Sequence, residues 1–269
     1  IAALHHENER KLFDAKIGFF THITHEIRTP VTLILAPVEE IMRQKNIPEE
    51  IRDDLEVVKR NSERLLDLVN QILDFTKAEQ EAFSSQNTWF DIDDLVEKTV
   101  QRFTPAAQQK GIQLTHDTPQ PIRICTDREA LTKVLSNLLT NAMKFTKDRI
   151  LVSLTENPEA HTVTISVEDN GTGIKPTEKE KIFNLFYQSA NKPQLPNKGF
   201  GIGLAIVSLL VKRMMGKIEV ESEENRFTRF RITLPQNEQN DLSISVTSPD
   251  KTAAVSYTHL RAHETDQYL

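Results

Sequence analysis

Asn137-Leu138-Leu139-Thr140-Asn141-Ala142-Met143-Lys144-Phe145-Thr146 sets two asparagines and a lysine at i, i+4 and i+7 of one helix face, while Leu131, Val134, Leu135, Leu138 and Leu139 fill the opposite face. The leucines account for the helix by burial, but asparagine ranks low inside helices, so two on one face need a partner. Mg²⁺ held together with phosphate oxygens suits them, because this hard cation takes oxygen ligands, few of them from protein, and keeps its waters. Downstream come Asp169-Asn170-Gly171-Thr172-Gly173 and then Gly199-Phe200-Gly201-Ile202-Gly203. Asp169, at the end of an alternating strand pattern, can accept a hydrogen bond from an exocyclic amine such as adenine N6. Gly171 and Gly173 let a flat base approach the backbone. The Gly199–Gly203 run opens a helix near 203 whose free N–H groups and dipole favour phosphate. Lys192 and Lys198, in the loop between, could approach the phosphates, although solvated loop lysines are the plainer reading. Neither the P-loop pattern G-x-x-x-x-G-K-S/T nor a G-x-G-x-x-G following a strand is present.

The segment upstream carries a nucleophile. Phe19-Phe-Thr-His22-Ile-Thr-His25-Glu26-Ile-Arg-Thr29-Pro30 lies within a seam formed by Phe13, Ile17, Phe20, Thr24, Ile27, Val31, Ile34, Val38 and Ile41, in alternating steps of four and three. Asn46-Ile-Pro48 breaks it, and a second seam runs through Ile51, Leu55, Val58, Ser62, Leu65, Val69, Ile72 and Thr76. Two helices cannot cover so much apolar face alone, which predicts a homodimeric four-helix bundle. His25 follows Thr24 by a rotation of about 100°, so it is expected on the bundle flank, open to a visitor. Pro30 removes the N–H that would bond to the Glu26 carbonyl and loosens the helix beside His25. Neutral imidazole is a nucleophile, and Glu26 is the candidate general base.

Beyond a linker at 82–86 the period changes. Helices are expected at about 93–110, 128–146 and 203–215, with strands at 112–118, 122–126, 149–156, 161–168, 217–223 and 226–234. Thr126 with Glu129 reads as a capping box. The stretch 170–200 is too long for an ordinary connection and reads as a functional loop. The expected fold is therefore a helical hairpin at 1–84, then an α/β sandwich with helices on one face at 85–236. A disordered tail at 237–269 follows, in which 256–265 resembles an adaptor-derived scar.

The 269 residues carry a net charge of −6, which offers no basic face for nucleic acid. The single cysteine, Cys125, excludes an intrachain disulfide. No run reaches the roughly 18 apolar residues of a membrane span. The start at Ile1, mid-pattern, reads as a fragment, and attachment to a membrane is expected only through a segment upstream.

With these segments in this order, the chain resembles the cytoplasmic kinase core of two-component sensor histidine kinases over about 12–236, and is similar to the kinase part of hybrid sensors. His25-Glu-Ile-Arg-Thr-Pro matches the family's H box, Asn137–Thr146 its N box, and Asp169-x-Gly171-x-Gly173 its first glycine box. Ile182-Phe183-x-x-Phe186 matches the F box, and Gly199-x-Gly201-x-Gly203-Leu204 the second glycine box. The resemblance implies an ATP- and Mg²⁺-dependent kinase that phosphorylates His25 and passes the phosphoryl group to a response-regulator receiver domain. It implies a fold of the histidine kinase/Hsp90-like type, and a cytoplasmic portion of a bacterial protein anchored in the inner membrane. Asn141 would hold Mg²⁺ with Asn137 assisting, and Asp169 would read adenine. Lys144, Phe145, Ile174, Phe186, Lys198, Ile202 and Leu204 would join the glycines around the nucleotide, and 175–200 would be a lid. Thr29 would position a water for dephosphorylating the receiver. Phe200 departs from the pattern, standing where a small hydroxyl residue is common. A related ATPase of the chaperone or topoisomerase type would carry a glutamate at 137, and asparagine cannot take a proton there.

Overall fold

The computed structural model describes residues 23–24, 26–44, 46–80, 87–118, 121–189 and 199–236. His25, Lys192, Lys198, the tail at 237–269 and the predicted 82–86 linker lie outside the described residues, as does the first seam before residue 23.

Helix α1 (26–42) includes Pro30 and Pro37, and α2 (Glu49–Gln80) returns after the break at Pro48. The two seams meet, burying Thr24, Val31 and Val38 against Ser62, Val69, Leu73 and Thr76. Arg28 Nη2 donates to Asn70 Oδ1 at 2.8 Å across the pair. Ile34, Ile41, Ile51, Val58 and Leu65 of the seams stay exposed along with Leu33 at 70%, while Ile27, Leu55 and Ile72 are half-buried. Among the described residues, part of each predicted stripe therefore faces outward from the single chain.

The second part begins with β1 (Asn87–Asp91), a strand that the sequence pattern does not announce. It pairs antiparallel with β3 (Arg123–Asp127). Between them lie α3 (Ile92–Gln109) and β2 (Gln113–Asp117). Next come α4 (Arg128–Phe145), β4 (Arg149–Asn157), β5 (Thr162–Asp169), α5 (Gly203–Arg213), β6 (Lys217–Glu223) and β7 (Phe227–Pro235). The main sheet has the order β2-β4-β5-β7-β6, parallel at β2–β4 and antiparallel elsewhere.

Strict alternation in β5 and β7 gives the sheet one apolar face. Val163, Ile165, Val167, Phe230, Ile232 and Leu234 bury against Leu131, Val134, Leu135, Leu138 and Leu139 of α4 and Ile206, Val207 and Leu210 of α5. The other face is solvated and charged: Arg229 donates to Glu168 at 2.6 Å and to Glu221 at 3.0 Å, and Arg231 donates to Glu221 at 2.5 Å. The helices thus cover one face, as the pattern predicts.

The capping expectation needs correction. β3 extends through Asp127, so Thr126 is a buried strand residue opposite Thr88. Asp127 caps α4 instead, its side chain accepting from Ala130 N at 2.9 Å. Within the long loop, two 3-10 turns form at Pro176–Glu178 and Lys181–Phe183. Helix α2 also joins this part: Leu68, Ile72 and Phe75 pack against the sheet-helix core, Ala78 lies within it, and Asp74 forms an ion pair with Lys133 of α4.

Candidate nucleotide site

The polar face of α4 looks into a cavity of about 440 Å³, within the usual size range for small-molecule sites. Asn137, Thr140, Asn141, Lys144 and Phe145 form one wall, as the i, i+4, i+7 spacing predicts. Asp169 and Ile174 come from the end of β5 and the turn after it. Gly199, Gly201, Gly203 and Leu204 come from the approach to α5. Chain segments more than 60 positions apart converge here because β5 sits at the sheet centre between β4 and β7.

Asp169 is 5% exposed, and its Oδ1 accepts from Gly171 N at 2.9 Å. A buried carboxylate is costly unless hydrogen bonds hold it, and the turn supplies one. Across the ladder Asp169 pairs with Thr228, which is equally buried and lines the same cavity. Asn170 clamps the turn from behind. Its Oδ1 accepts from Thr146 Oγ1 at 2.9 Å, Asp148 N at 3.3 Å and Arg149 N at 3.1 Å, and its Nδ2 donates to Asp148 Oδ1 at 2.7 Å. The end of α4 and the Asp169–Gly173 turn are thereby one unit.

On the phosphate-like side, Asn137 Nδ2 donates to Lys133 O at 3.0 Å, a back-bond that leaves Oδ1 for the cavity. A Cβ on Gly203 would stand 3.0 Å from that Oδ1, so glycine keeps the N-terminus of α5 open to Asn137. The Asn141 carboxamide makes no hydrogen bond with any described residue. A carboxamide oxygen on this wall, with a second one a helical turn away, fits a hard cation shared with phosphate. Among the described residues no group of three or more His, Cys, Asp or Glu is placed to hold a metal ion.

The loop's described ends are tied together. Phe186 N donates to Gly201 O at 2.9 Å. Gly201 has φ +75°, and a Cβ there would lie 2.5 Å from Tyr187 O, so only glycine closes this crossing. The Glu178 carboxylate accepts from Tyr187 Oη at 3.1 Å and from Ser189 Oγ at 2.8 Å. Desolvation, followed by this bond to Glu178, raises the Tyr187 phenol above its ordinary pKa.

Several expected residues stand off the cavity wall. Gly171 and Gly173 shape the turn behind it. Ile202 is fully buried under α5, and Phe186 is 54% exposed with φ +64°. Phe183 rather than Phe186 packs inward, edge-on to Phe230 at 6.3 Å. Glu26 and Thr29 are exposed on α1, away from the cavity. Sequence reasoning did not find Thr228, Phe230, Glu178, Tyr187 or Ser189, nor Lys110 and the α2 residues Asp67 and Gln71, all on the wall. Thr228 and Phe230 carry a signal only in combination, as inward positions of a strand paired with the one ending in Asp169.

Comparison with known proteins meets this geometry from both ends. Residues 15–81 match the His Kinase A (phospho-acceptor) domain family, and residues 126–238 match the family of histidine kinase-, DNA gyrase B-, and HSP90-like ATPases. The sensor histidine kinase TmoS of Ectopseudomonas mendocina is 35% identical over 86% of this chain, which spans only 24% of its length. The sensor histidine kinase YcbM of Bacillus subtilis is 31% identical over 80% of this chain and 70% of its own. Among solved structures, full-length ShkA in complex with AMPPNP superposes with a TM-score of 0.69 at 28% identity, over 81% of this chain and 46% of that one. A phospho-acceptor hairpin joined to an ATPase-type cavity, with a relative matched over most of both lengths, places this chain in the sensor histidine kinase family.

Proposed function

We propose that the chain is an ATP-dependent protein-histidine kinase core that phosphorylates His25 and then serves as phosphoryl donor to an aspartate of a response-regulator receiver domain. The observation that carries this reading is the convergence of Asn137, Asn141, Lys144, Asp169 and the Gly199–Gly203 turn on one cavity. The unprotonated imidazole nitrogen of His25 attacks the γ-phosphorus of ATP, the bond to the β-phosphate oxygen breaks, ADP leaves, and the proton on the other ring nitrogen passes to Glu26 as general base. Asp169 takes the adenine amine, and Lys144 with the N-terminus of α5 faces the phosphates. Asn141 and the free Oδ1 of Asn137 would hold Mg²⁺, which supplies charge neutralisation at the phosphates when bound. Lys198 and Thr29 keep the expected roles, at the phosphates and in receiver dephosphorylation. Asn137 is no base, which favours transfer over hydrolysis.

We infer parts at 1–84, 85–236 and 237–269, because β1 and α3 share their core with the main sheet although the ATPase family match begins at 126. The exposed members of both seams, Ile34, Ile41, Ile51, Val58 and Leu65, support a homodimeric four-helix bundle. Among the described residues no helix is long and apolar enough to cross a membrane.

The test is incubation with γ-labelled ATP and Mg²⁺ followed by acid and base treatment of the labelled chain. A phosphohistidine is acid-labile and base-stable. Acid-stable label, or none despite ATP binding, overturns the reading. Asp169→Asn tests the adenine contact separately. Gly171 N–H keeps Oδ1, so the new NH₂ points at the adenine amine, donor against donor. ATP affinity is expected to fall about 30- to 100-fold with little change in folding stability, measured by calorimetry. Unchanged affinity would remove Asp169 from that role.

A further inference from the structure

Phe200 is the single side chain of any size between Gly199 and Gly201, on the turn that leads into α5. Glycines on both sides give that backbone little preference of its own, so beyond the Phe186 N–Gly201 O bond the place of the turn depends on what holds the ring. The partner comes from the helical hairpin: the Arg64 guanidinium lies over Phe200, 5.4 Å from the ring centroid. Arg64, Asp67 and Gln71 share one face of α2 at i, i+3 and i+7. Asp67 and Gln71 line the nucleotide cavity together with Gly199, Phe200, Gly201 and Gly203. Gln71 Nε2 donates to Asp67 Oδ2 at 2.7 Å, fixing both side chains at that rim. On the neighbouring flank of the same helical turn, Asn70 accepts from Arg28 of α1. One stretch of α2 therefore touches α1, the glycine turn and, through Asp74 and Lys133, the N-box helix α4.

We propose that Arg64 is a positioning residue for phosphoryl transfer: it holds the Phe200 ring, and through it the Gly199–Gly203 turn, so that the phosphate end of the cavity is set against the hairpin that carries the acceptor. This rests on the transfer reading above. A planar guanidinium suits the task because it stacks on an aromatic face, which an ammonium does less well. The contact lies at the turn and not against the adenine end, so its loss falls on transfer more than on binding.

The experiment uses the full chain with Mg²⁺ and γ-labelled ATP under single-turnover conditions, with ATP affinity measured separately by displacement of a fluorescent nucleotide. Arg64→Ala and Phe200→Leu are each expected to slow labelling by about tenfold, and ATP affinity, read on Arg64→Ala because Arg64 is off the cavity wall, stays within about threefold. Arg64→Lys keeps the charge and loses the planar face, and most of the rate goes with it. Phe200→Tyr keeps the ring and recovers most of the rate lost in Phe200→Leu. The double variant is no slower than either single, because both remove the same contact. Wild-type rates in both single variants overturn the proposal. So do losses that add in the double variant, or that fall equally on affinity and rate. Wild-type chain that binds ATP without ever becoming labelled overturns the transfer reading instead, and this proposal with it.

Discussion

His25→Gln is expected to abolish phosphoryl incorporation from γ-labelled ATP, by at least about 10³-fold, while ATP affinity stays within about twofold of wild type. The loss is chemical: a carboxamide nitrogen has its lone pair tied into the amide, and the neighbouring imidazole of His22 is followed by Ile23 where His25 is followed by the candidate base Glu26. Retention of binding follows from where the cavity comes from. Among the described residues its walls are drawn from α2 at 67 and 71, from Lys110, and from segments between 137 and 230, and none comes from α1. Binding and acceptance are therefore separable properties of one chain. Incorporation is read by gel autoradiography and affinity by fluorescent-nucleotide displacement. Label persisting in His25→Gln would assign the nucleophile elsewhere. A matching loss of affinity would mean that the acceptor stretch forms part of the nucleotide site.

The same separation explains what the sequence made legible. The asparagine face of α4 could be read because helical spacing alone decides which residues share a side, and Asn137, Asn141 and Lys144 do line one wall. The seams of the hairpin follow the same logic: Val31, Val38 and Val69 bury as their spacing requires, and the exposed Ile34, Ile51 and Val58 complete the stripe outward. Features set by distant pairing were not legible. β1 is five residues that end where a helix begins, and only its ladder with β3, from Asn87 opposite Asp127 to Asp91 opposite Arg123, makes it a strand. That same ladder carries β3 one residue further than the pattern suggests and moves the cap of α4 from Thr126 to Asp127. Thr228 enters the site through its register with Asp169. Asp67 and Gln71 look like any solvated helix face until Leu68, Ile72 and Phe75 pack α2 onto the core and turn the adjacent face to the cavity.

Gly171→Ala is expected to lower folding stability by about 3 kcal/mol and to remove measurable ATP binding, although Gly171 itself is not on the cavity wall. A Cβ at this position would stand 1.9 Å from Phe145 O, 2.6 Å from Phe145 C and 2.7 Å from Asp169 Oδ1, and the first two are backbone atoms with no rotamer to retreat into. Nor can the carbonyl swing away alone. Phe145 O accepts from Thr172 N at 3.2 Å, the other side of the same peptide is fixed by Thr146 N donating to Ala142 O at 2.8 Å, and Asn170 ties Thr146 and Arg149 to the turn. Relief requires prising the end of α4 from the end of β5, which parts Asn141, Lys144 and Phe145 from Asp169. The two ends of the nucleotide would then no longer find their partners at the right separation. Gly199→Ala is the internal comparison: among the described residues its Cβ would meet only Lys144 Nζ at 3.2 Å, the tip of a flexible side chain that can move aside, so stability should change by less than about 1 kcal/mol. Denaturant unfolding and nucleotide titration of both variants decide the matter. If Gly171→Ala unfolds and binds like Gly199→Ala, the abutment of the glycine turn on the N-box helix does not hold the site together.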